Sequence, residues 1–328
     1  GLQLNSGGNL SNDGVVYAMS DLYIDGNFAN GSNAKTYCGG KLTINGSDET
    51  VMTMGIAYVG KNIVGNGCLR VKGILSVAGS PHGSDDPNLA DYTDGIKLKC
   101  IDVYDNAQMY VRGVVVCYGT GFAFVNTGSD DIKAQVFIDS NGGTETALQT
   151  TTYLKLVAGS KLFVQGNANI KCKDSSVGSI LNEERTYLFV SDNLSTNAKI
   201  NMYGNSLIHC GTLITPEIGV GVENLAEDTA RASGLMVDGY ARITSGSFKN
   251  YCNTYIGGAL ICNNGEVLND DNGDLYVNNS VSCTNIRFYD NANMFAYGNV
   301  TTRNSGGESL YLDSGTCNSL FLCRGNLT

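Results

Sequence analysis

Four aspartates follow directly on short apolar stretches, and they are the residues of this sequence best suited to catalysis. Each precedes a Gly or Ser: Asp25, Asp139, Asp238 and Asp313. Paired carboxylates about 5–9 Å apart cleave glycosidic bonds, and rows of carboxylates also bind Ca²⁺. Aspartate equally shapes turns by bonding its own backbone, so both interpretations stay open. If the protein is an enzyme, we expect Asp139, Asp238 and Asp313 to be its catalytic residues.

A second acidic stretch, "NDDNGD" at residues 269–274, has the alternate spacing of a calcium-binding loop. Asp270, Asn272 and Asp274 are its candidate oxygen ligands. An EF-hand needs a glycine where this chain has Leu275, and a glutamate six positions further on, which is absent. These three residues are therefore a weak Ca²⁺ candidate, and we expect no other metal site and no cofactor.

Tyrosine is plentiful, with 18 residues, and many lie in or beside alternating apolar stretches. Outward tyrosines on stacked strands would form a platform for sugar rings or for a partner protein. They would equally serve β-propensity and stacking between strands, and the sequence leaves both interpretations open. The platform interpretation names four binding residues: Tyr104, Tyr110, Tyr289 and Tyr297.

The charge of the chain argues against two classes of partner. Its net charge is −10 and its isoelectric point is near 4.6, and no block of Lys and Arg occurs. Nucleic acids and anionic lipid surfaces both select clustered cations, so we expect neither. No apolar stretch of the sequence approaches the roughly 20 residues of a membrane helix, so we expect no membrane insertion.

Short alternating phrases recur along the chain and indicate the fold that must position these residues. "YDNAQMYVRG" at 104–113 and "YDNANMFAYG" at 289–298 match at six of their ten positions, and looser copies occur at 154–170, 200–213 and 310–322. Each copy alternates as short strands with one buried face do, and Gly, Asn, Asp or Ser turns separate the strands. The sequence predicts an all-β, single-stranded, right-handed parallel β-helix, in which each strand pairs with its copy one turn away. We expect Ala and Met of the two phrases to pack inward and Asp and Asn to shape the turn.

The spacing of the copies predicts how the coil is organised. Strong copies begin near Ile101, Leu154, Ile200 and Ile286, with a weaker one near Ile243. We interpret each interval as two turns of about 20–25 residues, with longer loops leaving at a similar place on one side. Residues 1–328 then form one β-helix domain. Its last stretch, "FLCRGNLT", has no evident polar cap, which favours end-to-end self-association.

The chain has 11 cysteines, an odd number that prevents complete pairing within one molecule. Seven of them follow an apolar residue two positions earlier, which predicts a common inward face: Cys100, Cys117, Cys172, Cys210, Cys262, Cys283 and Cys323. We expect most cysteines to pack in the core as small hydrophobes, with some disulfides among the remainder. Free thiols fit a reducing cytosol or an anaerobic exterior.

The phrases "LYIDGNF", "LTINGSD" and "LYVNNSVSC" resemble the repeats of bacterial surface β-helix proteins of the adhesin and autotransporter-passenger kinds. They resemble the polymer-forming bactofilins more faintly. The first resemblance implies a non-enzymatic, secreted or surface-displayed protein that binds a glycan or a host protein, its signal peptide already removed; the thiols suggest an anaerobic source. The alternatives are a polysaccharide lyase or glycoside hydrolase on the same scaffold, and a self-assembling structural filament.

Overall fold

The computed structural model describes residues 2–45, 50–53, 55–78, 95–119, 124–127, 134–139, 146–151, 153–171, 180–182, 185–221, 233–303, 309–312 and 319–328. Every regular element within these residues is a β-strand, and the strands pair in parallel. The predicted parallel β-helix is therefore confirmed. None of the described residues forms a helix with the length and apolarity needed to cross a membrane.

Two compact units make up the chain, Gly1–Lys173 and Asp174–Thr328. In both units, three successive strands form one rung, and each strand pairs with its counterpart in the next rung. We name the three faces of a rung first, second and third in chain order. The single domain expected over residues 1–328 stays a prediction.

The first unit builds its three faces from strands of two to five residues. The first face holds β1 (Leu2–Leu4), β4 (Leu22–Ile24), β7 (Leu42–Ile44), β10 (Ile63–Val64), β13 (Ile96–Leu98), β16 (Val115–Cys117), β19 (Thr146–Thr150) and β22 (Asn167–Ile170). The second holds β2 (Asn9–Asn12), β5 (Asn27–Asn30), β8 (Thr50–Thr53), β11 (Cys68–Val71), β14 (Cys100–Tyr104), β17 (Phe124–Thr127) and β20 (Leu154–Val157). The third holds β3 (Val15–Ala18), β6 (Lys35–Cys38), β9 (Ile56–Val59), β12 (Ile74–Val77), β15 (Gln108–Arg112), β18 (Gln135–Asp139) and β21 (Lys161–Gln165).

The second unit repeats this arrangement. Its second face holds β23 (Ile180–Asn182), β25 (Ile200–Met202), β27 (Ile218–Val220), β30 (Phe248–Asn250), β33 (Val267–Asn269), β36 (Ile286–Phe288) and β39 (Leu310–Leu312). Its third face holds the first halves of β24 (Tyr187–Thr196) and β26 (Leu207–Thr215), then β28 (Gly234–Val237), β31 (Asn253–Ile256), β34 (Asp274–Val277), β37 (Asn293–Ala296) and β40 (Leu320–Cys323). The second halves of β24 and β26 begin its first face, followed by β29 (Ala241–Ile243), β32 (Leu260–Cys262), β35 (Val281–Cys283) and β38 (Val300–Thr302).

Alternation along each strand fills the interior of the rungs. In β20, for example, Leu154 and Leu156 are fully buried while Lys155 between them is half-buried. Each fully buried aliphatic side chain contributes about 1.5–3 kcal/mol, and successive rungs supply such residues at the same positions. The stacked interiors therefore form the hydrophobic core of each unit.

The two matching phrases occupy the same corner, between the second and third faces of their rungs. Asp105 and Asp290 adopt the left-handed backbone conformation, with φ of 55° and 40°, which Asp tolerates in tight turns. The Ala and Met that follow are fully buried: Ala107, Met109, Ala292 and Met294. Both expectations for these phrases are confirmed.

Buried asparagines stack at the same corner in both units. Asn250 donates a hydrogen bond from Nδ2 to Oδ1 of Asn269 at 2.7 Å, and the hydroxyl of Thr254 donates to Oδ1 of Asn250 at 2.8 Å. In the first unit Asn12 donates to Asn30 in the same way, also at 2.7 Å. Because buried amides cost free energy unless they are paired, this stacking fixes the register between rungs.

The longer connections leave from all three corners. They follow β12 between the third and first faces, β16 between the first and second, and β27 between the second and third. The expectation that they leave at a similar place on one side is therefore wrong. Any corner of a rung is a strand end, so an insertion there leaves the strand pairing intact.

The described cysteines comprise buried thiols, one half-buried thiol and one disulfide. The predicted burial is confirmed for Cys117, Cys210, Cys262 and Cys283, whereas Cys323 is half-buried. Cys172 lies outside the described residues. The prediction for Cys100 is wrong: it forms a disulfide with Cys68, its register partner in the neighbouring rung. The corner at Lys99 interrupts the alternation after Leu98, and Cys100 consequently faces outward beside the inward Ile101.

We expect thiol labelling to separate these classes. Burial raises the pKa of the Cys210 and Cys283 thiols to about 12 each, and only thiolates react with iodoacetamide. In the native protein at pH 8, Cys323 is expected to be alkylated at least tenfold faster than Cys210 or Cys283, as measured by peptide mass mapping over time. In denaturant the three rates should converge. Equal rates in the native protein would contradict the described packing.

Candidate binding face

An outward row of mostly aromatic side chains runs along the third face of each unit. In the first unit, register pairing aligns Tyr17, Tyr37, Tyr58, Ser76, Tyr110, Phe137 and Phe163. In the second unit it aligns Phe189, His209, Met236, Tyr255, Tyr276, Phe295 and Leu322. We call each row the third-face column of its unit. Neighbouring parallel strands lie about 4.7–4.9 Å apart, so the members of a column follow one another at that interval.

Ring stacking orders part of each column. The rings of Tyr110 and Phe137 lie 5.2 Å apart with an interplanar angle of 3°, and those of Phe137 and Phe163 lie 4.8 Å apart at 4°. Tyr276 and Phe295 stack in the same way, at 4.8 Å and 6°. Parallel rings at these distances are offset, so each ring leaves part of its face uncovered. The columns therefore present aromatic surface to solvent.

Polar and charged groups border the columns. The hydroxyl of Tyr110 donates to Oε1 of Gln108 at 3.2 Å, on the strand-start side of the column. On the strand-end side, the Arg324 guanidinium lies 4.7 Å from the ring centre of Tyr297. An aromatic surface with hydrogen-bonding groups at its edges suits a ligand that has both apolar faces and hydroxyl groups.

His209 and Asp238 form a hydrogen-bonded pair on the third face of the second unit. Nε2 of His209 lies 3.0 Å and 3.1 Å from the two carboxylate oxygens of Asp238. The His209 ring also meets the ring of Phe189 edge-on at 5.2 Å. A carboxylate that holds an imidazole fixes its tautomer and orientation, which is part of what a general base requires. The column neighbours of His209, Phe189 and Met236, carry no nucleophilic group.

The four predicted tyrosines do not form one platform. Tyr110 belongs to the third-face column, and Tyr297 lies at the end of a third-face strand with 47% of its surface exposed. Tyr104 instead ends the second-face strand β14, where the Lys72 ammonium lies 5.9 Å from its ring centre. Burial raises the pKa of Tyr104, and the nearby Asp102 raises it further. Tyr289 lies at the end of the second-face strand β36, with its ring 5.8 Å from that of Tyr311.

The three predicted catalytic aspartates are likewise not assembled into a described site. Asp139 lies in the first unit, in register with Arg112 and Gln165 on the third face. Asp238 lies in the second unit, paired with His209. Asp313 lies outside the described residues. Asp139 and Asp238 therefore belong to different units, and a catalytic role for the three aspartates stays a prediction.

The acidic residues that the structure brings together differ from the three calcium ligands that the sequence predicts. Carboxylate oxygens of Asp270, Asp271 and Asp290 lie within 4.8 Å of one another, because Asp271 and Asp290 occupy the same turn position in neighbouring rungs. Asp274 is not in this group: it begins β34 and accepts a hydrogen bond from Asn293 at 2.9 Å. Asn272 adopts a left-handed turn conformation, and its backbone amide donates to the Asp290 carbonyl at 2.8 Å. The sequence spacing within one loop could not show a neighbour contributed by the next rung.

The residues that follow the outward tyrosines could have predicted the columns, although the spacing between the tyrosines could not. Tyr37, Tyr58 and Tyr255 are each followed by one small or apolar residue and then by Gly, and each is an outward member of a third-face strand. An alignment of these strands on the turn that follows each of them would have placed the tyrosines of each unit in one row. Comparisons with protein-family models, with curated proteins and with solved structures find no match for this chain.

Proposed function

We propose that the protein is a non-enzymatic bacterial surface or secreted protein that binds a glycan along its third-face columns. The observation that carries this proposal is the exposure of aligned aromatic rings on one face of each unit. Tyr17, Tyr58, Tyr110, Tyr255 and Tyr276 all keep more than a third of their surface exposed. Monomeric proteins seldom leave contiguous apolar surface uncovered unless it binds something.

A glycan is the partner class that this surface fits best. Pyranose rings offer apolar C–H faces that pack on aromatic rings, and their hydroxyl groups need hydrogen-bonding partners at the edges of the contact. The columns supply the aromatic surface, and Gln108 with the tyrosine hydroxyls supplies polar edges. The net charge of −10 disfavours polyanionic partners such as nucleic acids.

The disulfide supports a location outside the cytosol. Disulfides persist in secreted and surface proteins and are rare in the reducing cytosol, and Cys68 and Cys100 are joined across two rungs. The resemblance of the repeats to surface β-helix proteins favours the same location. Glycans and host proteins are both available there, and a host protein is the alternative partner.

The test is retention on immobilised polysaccharides (cellulose, xylan, mannan, chitin and pectate), with and without Ca²⁺, together with an assay for newly formed chain ends. The proposal expects retention on at least one polysaccharide without new ends. Tyr255→Ala combined with Tyr276→Ala is expected to weaken retention at least tenfold, because aromatic stacking surface is removed. Tyr104→Ala, on the second face, is the matched control and should retain full binding. Equal weakening by the control would contradict binding at the third face.

A carbohydrate-active enzyme is the second candidate, and the His209–Asp238 pair is the observation that favours it. An imidazole that a carboxylate orients on this face can serve as a general base. New chain ends in the same assay would support this candidate, provided that Asp238→Asn abolishes them. New ends that persist in Asp238→Asn would exclude the pair as their source.

A further inference from the structure

We propose that a single pyranose ring of the glycan inserts into the third-face column above Ser76, between the rings of Tyr58 and Tyr110. This inference rests on the proposed function and adds to it the place and orientation of one bound sugar. The ring would enter edge-first and present its two faces to the two tyrosines. Most of the column supports a ligand from one side, whereas this position would hold it from both.

Ser76 leaves a gap of one ring in the column of the first unit. Register pairing places Ser76 directly between Tyr58 and Tyr110. On the other side of Tyr110, the stack has one ring per rung, with centres 5.2 Å and 4.8 Å apart. Two register steps separate Tyr58 from Tyr110, or about 9–10 Å. At the spacing of the stack, that interval holds one further ring.

The ring positions on both sides of the gap are open to solvent. Tyr58 and Tyr110 each keep 41% of their surface exposed. Phe137 has a ring neighbour on both sides and is half-buried, so it is less exposed than either tyrosine. Tyr110 stacks on Phe137 with one face, so its opposite face is directed along the column toward Ser76. A serine side chain is too small to cover that face.

The surroundings of the gap distinguish a sugar from a purely apolar ring. Oε1 of Gln108 accepts the hydrogen bond that the Tyr110 hydroxyl donates. The amide N–H groups of Gln108 can therefore donate to a ligand, and the tyrosine oxygen can accept from it. Ser76 places a hydroxyl at the floor of the gap. Ile56 and Ile74 are both exposed on the strand-start side and form an apolar border. A pyranose, with apolar faces and a hydroxylated rim, satisfies the apolar and the polar groups together.

Filling the gap is the experiment that tests this inference. Ser76→Phe supplies the missing ring, and its aromatic side chain suits an outward strand position. If a sugar ring occupies the gap, the variant should lose at least tenfold in affinity for the polysaccharide that the unchanged protein retains, as measured by affinity electrophoresis. Thr43→Phe is the matched control, because it adds the same side chain outward on the first face of the same unit. The control is expected to bind as the unchanged protein does.

The outcomes separate this inference from the proposed function. Undiminished or tighter binding by Ser76→Phe, together with weakened binding by the Tyr255→Ala and Tyr276→Ala variant, would overturn the insertion site and leave the binding face intact. Absence of retention by the unchanged protein on every polysaccharide would overturn both. If circular dichroism shows that Ser76→Phe does not fold, Tyr58→Ala replaces it. Tyr58→Ala removes one of the two rings that border the gap, so the affinity for the polysaccharide should also fall at least tenfold. Unchanged affinity would overturn the inference.

Discussion

Replacement of Phe248 by alanine is expected to lower the free energy of unfolding by about 3–5 kcal/mol. Phe248 is one of the largest fully buried side chains and points inward from β30. Its register partners in the neighbouring rungs are Ile218 and Val267, both also buried. The backbone of those rungs is tied by hydrogen bonds on both sides, so it cannot collapse into the space that the ring leaves. The loss should appear as a lower midpoint in urea denaturation followed by circular dichroism.

Phe295→Ala is the control for this prediction. Phe295 has the same side chain but points outward in the third-face column, where it stacks on Tyr276. Removal of a stacked aromatic partner costs about 0.5–1.5 kcal/mol beyond its area, so the control should lose far less stability than Phe248→Ala. If the two variants were equally destabilised, the assignment of inward and outward positions on these strands would be wrong.

Removal of the disulfide is expected to lower the free energy of unfolding nearly as much as Phe248→Ala does. Cys68 and Cys100 are separated by 32 residues in sequence, and the bond restricts the unfolded chain over that whole stretch. The loop-entropy relation then gives a loss of about 3–4 kcal/mol for the Cys68→Ser, Cys100→Ser double variant. The bond joins β11 to β14, so these strands should separate first when the double variant unfolds. Urea denaturation measures the total, and hydrogen exchange of β11 and β14 measures the local effect.

A reducing agent provides the control for the disulfide. Dithiothreitol should lower the stability of the unchanged protein to that of the double variant, and it should leave the double variant itself unaffected. Peptide mapping without reduction should recover the two cysteines in one linked fragment. A protein whose stability did not respond to the reductant would lack this bond in solution.

The fold could be predicted because its determinants are local. The inward position of Ala107 and Met109 follows from alternation on either side of a turn, and the turn itself follows from Asp and Asn. The similar stretch at 289–298 indicates the same corner in another rung. These determinants lie within ten residues of sequence. Because each rung repeats them and packs on its neighbours, they suffice to predict the solenoid.

The site could be predicted only in part, because it depends on which rungs are neighbours. Tyr104 and Tyr110 are an even number of residues apart, so simple alternation would place them on one face. The corner at Asp105 separates them onto the second and third faces instead. Cys68 and Cys100 are register partners in neighbouring rungs, but the long connection after β12 separates them by 32 residues in sequence and so conceals the pairing. In the same way, Asp290 and not Asp274 lies beside Asp270, because the turns that contain Asp270 and Asp290 belong to successive rungs.

The register of the rungs has a consequence for how such a chain changes over generations. Leu260 follows its register partner Ala241 by 19 residues, and Val281 follows Leu260 by 21 residues. Tandem duplication of one such segment would insert a complete rung, since each rung meets only the ones before and after it. The inserted copy would bring its own outward ring to the third face. The length of the surface offered to a polymeric ligand can thus grow or shrink in whole steps by recombination between similar repeats, while every other residue keeps its partners.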